Sequence, residues 1–144
     1  MSREPSLRET VIEGYASLWG VRDLNDDVVE KGAFGESLAR RGSAGVKMLS
    51  QHEGATPVGV WDEVVEDDRG LRVRGRILEV TPQGRMAAAL ARAGAVDGLS
   101  IGFRSQRARG DETGRLRVLS EVDLWEVSLV TFPMLPGARF AVAG

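Results

Sequence analysis

Apolar and charged residues alternate along residues 71–77. Leu71, Val73 and Ile77 are interleaved with Arg72, Arg74 and Arg76. A period of two places the apolar side chains on one face of a β-strand and the charged side chains on the other. This half-buried pattern is typical of an antiparallel sheet. A second strand-like run covers residues 58–66, and the turn sequence DDRG at 67–70 separates it from a strand over 71–80. The sequence therefore predicts a β-hairpin here.

The rest of the chain has the same strand-rich character. Further strands are predicted over 11–19, 46–49, 99–107 and 116–131, and 21–32 is predicted to be a loop. A short helix is predicted over 33–41, ended by Gly42, with Phe34 and Leu38 on its buried face. A second helix over 83–93 begins after Thr81 and Pro82. We expect a loose leader over residues 1–10 and one mainly β domain over 11–144. With many strand edges to protect, its expected architecture is a small barrel with short helices.

Composition limits the chemistry. The chain has 144 residues, 42% of them hydrophobic, which suits one domain with its own core. A net charge of −2 disfavours nucleic acid as a partner. The absence of Cys excludes disulfides, thiolate metal sites and Cys nucleophiles, and the single His excludes any mechanism that needs two imidazoles. No metal site or cofactor is predicted. No stretch approaches the roughly 20 apolar residues of a membrane span. We therefore expect an intracellular protein with no membrane partner.

Residues 98–102 read Gly-Leu-Ser-Ile-Gly and match the pattern G-x-S-x-G. In α/β-hydrolases this pattern joins a strand to a helix and presents a nucleophilic serine. Here a predicted helix precedes it and a predicted strand follows, and no His follows Ser100, so that fold is excluded. By itself the pattern also fits a tight turn.

Two more residue types could complete a serine nucleophile. His52 is the one imidazole available as a general base, although a surface His at a strand end is the simpler interpretation. Alternation over 122–130 places Val122, Leu124, Glu126, Ser128 and Val130 on one face. A carboxylate among apolar neighbours needs a partner, and orienting a His would supply one to Glu126. Glu121 and Asp123 are the competing acids.

The residues resemble a known family along most of the chain, over about 11–139. The chain resembles the prohead (procapsid) maturation proteases of tailed phages, of the lambdoid-phage type, which are distant relatives of the herpesvirus protease assemblin. The matching segments are GYASLWG at 14–20, DVVEKGAF at 27–34, VKMLSQH at 46–52, PVGVWDEVVEDDRGL at 57–71, GAVDGLSIGFR at 94–104 and EVDLWEVSLVTFP at 121–133. The order and spacing of six segments are far more specific than G-x-S-x-G alone.

This resemblance implies an assemblin-like antiparallel β-barrel flanked by helices. It implies a serine endopeptidase with Ser100 as nucleophile and His52 as base. It also implies Glu126 as the acid that stands in for assemblin's second His, with Glu121 and Asp123 as lesser candidates. Backbone N–H groups near Ser100 are the first candidates for oxyanion donors, and Arg104 is the second.

The expected substrate is the major capsid protein with its scaffold segment, and the protease itself is a further expected substrate. The expected location is the host cytoplasm, inside the assembling prohead of a phage, a prophage or a gene transfer agent. A homodimer is expected by analogy with assemblin. Two alternatives remain open at this point: a capsid-assembly factor with the same barrel but no proteolysis, and an unrelated ligand-binding barrel.

Overall fold

The computed structural model describes residues 8–143, and within them strands predominate over two short α-helices, as predicted. In chain order the elements are β1 (Glu9–Leu18), β2 (Asp27–Val29), α1 (Gly35–Arg41), a 3-10 turn (Ser43–Gly45), β3 (Lys47–Ser50), β4 (Glu53–Glu66), β5 (Gly70–Leu78), α2 (Pro82–Arg92), β6 (Gly98–Gly110), β7 (Arg117–Val130) and β8 (Phe140–Val142).

The strands form one curled sheet. The order β2-β7-β3-β4-β5-β1-β8 runs through hydrogen-bonded neighbours, and β6 pairs with the other side of β7. Most pairs are antiparallel, but β2 and β3 both lie parallel to β7. The end of the chain brings the sheet edges together, because β8 pairs with β1 while Arg139 bridges to Gly98 at the start of β6. The result is a partly closed barrel.

Most predicted elements are found, with shifted ends. The 58–80 hairpin corresponds to β4 and β5, and the Oγ1 atom of Thr81 accepts the Gly84 N–H at 3.0 Å, as expected for a helix N-cap. Phe34 is fully buried, and Leu38 packs against the same core. Within residues 8–143, neither helix is long and apolar enough to cross a membrane.

The predicted bounds of two segments near the N-terminus need correction. The segment predicted as a loop over 21–32 contains β2, a strand of three residues that is too short to show alternation in the sequence. The predicted leader extends too far, because Glu9 and Thr10 are the first residues of β1 and Thr10 is buried. Residues 1–7 of that leader lie outside the described part of the chain.

A β-bulge interrupts β7 where the sequence predicted unbroken alternation. Gly102 of β6 pairs with Glu126, and the next residue, Phe103, pairs with Leu124, so Trp125 is the extra residue. An extra residue reverses which face the following side chains occupy. Leu124 is therefore fully buried on the core face, whereas Glu126 lies on the other face. The prediction of one face shared by Leu124 and Glu126 is wrong for this reason.

Candidate active site

His52 occupies a tight turn between β3 and β4. Ser50 pairs with Glu53, which leaves Gln51 and His52 as the two turn residues. Their φ angles are 53° and 62°, as a type I′ hairpin turn requires. Such turns favour Asn and Gly, because other residues pay about 1–2 kcal/mol each in the left-handed region. Strain of this kind persists where surrounding contacts hold it, and it is common at functional sites.

The end of β7 supplies those contacts. The Gln51 N–H donates to the carbonyl of Leu129 at 2.9 Å, and the Gln51 side-chain amide donates to Oγ1 of Thr131 at 2.9 Å. The His52 N–H donates to Oγ of Ser128 at 3.0 Å. The Thr131 N–H also donates to Oε1 of Gln51 at 3.4 Å, so four hydrogen bonds hold the strained turn against residues 128–131, at and just after the end of β7.

The imidazole of His52 meets the carboxylate of Glu126. Nδ1 of His52 lies 2.6 Å from Oε2 of Glu126, and Oε1 of Glu126 accepts the Ser128 hydroxyl at 2.6 Å. The Glu126 side chain is only 12% exposed, against 43% for His52. The hydrogen bond to Glu126 raises the pKa of His52 above its ordinary value, outweighing the opposite effect of partial burial. Because Nδ1 faces the carboxylate, Nε2 is the ring nitrogen left for another partner.

Ser100 lies on the same sheet face as Glu126. It pairs with Ser128 across β6 and β7, two residues from the Gly102–Glu126 pair, and directly paired residues share a face. Ser100 is 8% exposed and lines a small cavity of about 50 Å³ together with Ala16, Val21 and Phe103.

At each glycine of G-x-S-x-G, a different neighbouring side chain leaves no room for a Cβ atom. A Cβ atom at Gly102 would lie 2.5 Å from Cδ of Glu126 and would clash with Oε2. A Cβ atom at Gly98 would lie 2.7 Å from Cδ of Pro133. The motif thus forms part of a β-strand flanked by two close contacts, not the turn between a strand and a helix that it marks in α/β-hydrolases.

The structure joins His52 to Glu126 directly and places Ser100 on the same sheet face as Glu126, one residue pair away along the strand face. In the described part of the chain, no hydrogen bond links the Ser100 hydroxyl to His52. Both residues are instead neighbours of Ser128, Ser100 by strand pairing and His52 through its backbone N–H. Substrate-free sites often leave such nucleophile–base contacts loose.

The competing acids lie elsewhere. The carboxylate of Asp123 contacts Arg41, Ser37 and Trp125 rather than His52. Glu121 pairs with Arg107 in an earlier part of β7 than Glu126. The second candidate for an oxyanion donor, Arg104, has its guanidinium 5.4 Å from the centre of the Trp125 ring. Among residues 8–143, no group of three or more acidic, His or Cys side chains could hold a metal ion.

Sequence reasoning missed two contributors to this site. Gly102 was visible in the motif, but its role depends on the Glu126 carboxylate, which the bulge directs over it. Ser128 was placed correctly on the face of Glu126 by alternation, yet nothing in the sequence indicated that it also contacts a hairpin turn 76 residues earlier.

Comparisons with known proteins address the family and the fold. Residues 1–143 match the family model described as "Caudovirus prohead serine protease". The prohead protease of Enterobacteria phage HK97 is 33% identical over 130 residues, which cover 88% of this chain and 56% of that protein. The chain therefore spans just over half the length of this relative.

Solved herpesvirus proteases share the fold. A KSHV protease in complex with a hexapeptide phosphonate inhibitor matches with a TM-score of 0.59 at 15% identity. The match covers 95% of this chain and 66% of the KSHV protease chain. The varicella-zoster virus protease matches with a TM-score of 0.54 at 13% identity, over 92% of this chain and 63% of the viral protease chain. The expected assemblin-like fold is confirmed.

Proposed function

Because the chain belongs to the caudovirus prohead serine protease family, we propose that it is a serine endopeptidase that processes the capsid protein and its scaffold segment during prohead maturation. The observation that carries the proposal is the His52–Glu126 pair beside Ser100 on one sheet face. A general base oriented by an acid and lying next to a serine is the arrangement that activates a hydroxyl nucleophile.

In the proposed mechanism, Nε2 of His52 takes the proton of the Ser100 hydroxyl while Oγ attacks the scissile carbonyl carbon. The tetrahedral intermediate then collapses, the C–N bond breaks, and His52 returns the proton to the leaving amine. Water, activated by the same imidazole, hydrolyses the acyl-enzyme and restores Ser100. Glu126 keeps the proton of neutral His52 on Nδ1 and stabilises the imidazolium that forms.

The oxyanion needs donors near Ser100. Backbone N–H groups beside Ser100 remain our first candidates, and Arg104 the second. Arg104 lies four residues along β6 on the same face as Ser100. Its contact with Trp125 means that it would have to leave that ring to serve the oxyanion.

The proposed reaction takes place inside the assembling prohead, where capsid protein and protease are enclosed together. Ser100, His52 and Glu126 all come from one chain, so the proposed chemistry does not require a second copy to complete the site. The homodimer expected by analogy with assemblin stays a prediction.

Co-expression with the capsid protein from the same genome tests the function. The wild type should shorten the capsid protein by a discrete mass, and Ser100→Ala should abolish that cleavage. Ser105→Ala is the matched control, a serine on the same strand outside the site. A fluorophosphonate probe should label the wild type and Ser105→Ala but not Ser100→Ala.

Two outcomes would overturn the proposal. Cleavage or labelling that survives Ser100→Ala would exclude Ser100 as the nucleophile. A wild type that binds capsid protein but neither cleaves it nor reacts with the probe would support the assembly factor without proteolysis.

A further inference from the structure

Ser128 is a fully buried serine that the proposed mechanism does not use. It lies on β7 between two site elements, paired with Ser100 on β6 and with Leu49 on β3. Its hydroxyl accepts the His52 backbone N–H at 3.0 Å and donates its own proton to Oε1 of Glu126 at 2.6 Å. One hydroxyl therefore contacts both partners of the His52–Glu126 pair.

These contacts close a ring of hydrogen bonds. From the His52 N–H the ring passes through Oγ of Ser128 to Oε1 of Glu126, and from Oε2 of Glu126 it returns to Nδ1 of His52. Each hydrogen bond restricts a different motion of the site. The bond to Oε1 fixes the rotation of the carboxylate plane, and the bond from the His52 N–H holds the backbone at a φ of 62°.

We propose that Ser128 is a positioning residue that orients both His52 and Glu126 relative to Ser100. This inference rests on the proposed function for its consequence in catalysis, although the ring of hydrogen bonds does not depend on that function. Without the hydroxyl, the carboxylate of Glu126 would lose the donor that fixes its rotation. The His52 turn would lose one of the four hydrogen bonds that hold its strained conformation.

The hydrogen bond from the Ser128 hydroxyl to Glu126 is expected to be strong, because its acceptor is a carboxylate. A hydrogen bond to an ionised acceptor is stronger than one between neutral groups, and at 2.6 Å this one is short. Since the Glu126 side chain is largely shielded from water, solvent can replace the lost donor only poorly. The carboxylate should therefore turn toward water when the hydroxyl is removed, and its contact with Nδ1 should lengthen.

Ser128→Ala tests the proposal, with Ser120→Ala as the matched control. Ser120 also lies on β7, but its hydroxyl donates to the carbonyl of Arg107, far from the site. The chain contains a single His, so its imidazole NMR signals report on His52 without further assignment. The two readouts are the NMR titration of His52 and the rate of fluorophosphonate labelling of Ser100.

We expect Ser128→Ala to bring the pKa of His52 down toward its ordinary value of 6.5. Labelling should slow by roughly tenfold, a fraction of what general base catalysis contributes. Ser128→Cys fills the same space with a weaker donor and should fall between Ser128→Ala and the wild type. Ser120→Ala should match the wild type in both readouts.

The outcomes separate the two proposals. If Ser128→Ala leaves the pKa of His52 and the labelling rate at wild-type values, Ser128 is not a positioning residue. The same conclusion follows if Ser128→Ala lowers only the melting temperature, because a purely structural role predicts that result. If the pKa of His52 falls but the wild type itself neither labels nor cleaves, the positioning role stands and the proposed proteolysis fails.

Discussion

Gly102 lies directly opposite Glu126 in the β6–β7 pair, and the Glu126 carboxylate fills the space that a side chain at residue 102 would occupy. Trp125 makes this arrangement possible, because the bulge there turns Glu126 to the face opposite Leu124. The second glycine of the Gly-Leu-Ser-Ile-Gly segment thus provides room for the proposed catalytic acid two residues from the proposed nucleophile.

Gly102→Ala should therefore disable the site while the fold survives. The new methyl group would push the Glu126 carboxylate away from His52, so the pKa of His52 should fall and Ser100 should label more slowly. Gly110→Ala is the control, because a Cβ atom at this position of the same strand meets nothing within 4 Å. Labelling of Gly102→Ala at the wild-type rate would show that the carboxylate position is not critical.

Glu126→Gln should change how stability depends on pH. Glu126 raises the pKa of His52 in the folded state, so the pair stabilises the fold fully below the ordinary pKa of 6.5. That contribution disappears as pH rises through the raised pKa. In urea unfolding, the wild type should exceed Glu126→Gln by more at about pH 5 than at about pH 9. Glu121→Gln should show no such trend, and a gap that widens with pH would contradict the assignment.

The pH dependence of labelling follows from the same pair. In the proposed mechanism, His52 accepts the Ser100 proton, which requires that Nε2 of His52 be unprotonated. The wild-type labelling rate should therefore rise with pH through a midpoint above 6.5. In Glu126→Gln the residual rate should be much lower, and its midpoint should move down toward 6.5. A wild-type midpoint below the ordinary value would be inconsistent with the geometry.

His52→Gly should be more stable than His52→Ala, although both remove the imidazole. Both variants lose the contact with Glu126, so the difference isolates the backbone strain at a φ of 62°. Glycine enters the left-handed region freely, whereas alanine pays about 1–2 kcal/mol, partly offset by the extra unfolded-state entropy of glycine. We expect a net advantage of about 1 kcal/mol in chemical denaturation.

The control for this comparison is Ala55→Gly on the exposed part of β4. There the backbone is extended, so alanine at residue 55 should give a more stable protein than glycine, the opposite of the order expected at residue 52. If His52→Gly were less stable than His52→Ala, the turn would not be strained.

Asp123→Asn should affect stability but not catalysis. Hydrogen bonds from Trp125 and Arg41 lower the pKa of Asp123 to about 2. Its ionised form therefore stabilises the fold above the ordinary pKa of 3.8, and this contribution is lost as pH falls through about 2. In urea unfolding, the deficit of Asp123→Asn should be present at neutral pH and should shrink in strong acid. Fluorophosphonate labelling at neutral pH should stay at the wild-type rate, and a large loss would reopen Asp123 as a site residue.

Local sequence patterns correctly predicted a hairpin and the start of a helix. Alternation located the β4–β5 hairpin, and the side chain of Thr81 capped α2 as its position suggested. These features depend on residues close together in the chain. The resemblance to a family then linked Ser100, His52 and Glu126, which no local pattern could do.

What the sequence could not predict depends on pairing between distant segments. The parallel β3–β7 contact brings the His52 turn to Glu126 across 74 residues. The bulge at Trp125 is defined only relative to β6, so alternation along β7 alone misplaced Leu124 and Glu126 relative to each other. The ring through Ser128 follows from both pairings and was invisible for the same reason.

The position of β7 has a consequence for the order of events during folding. Its pairing with β6 joins neighbouring segments, whereas its parallel pairing with β3 must close a long loop, which is the slower step. Ser100 and Glu126 can thus come together early, while His52 arrives only when β3 docks. A chain that has formed its Ser100 strand but not the β3–β7 pairing would hold the proposed nucleophile without the proposed base, and we expect it to stay inactive until β3 docks.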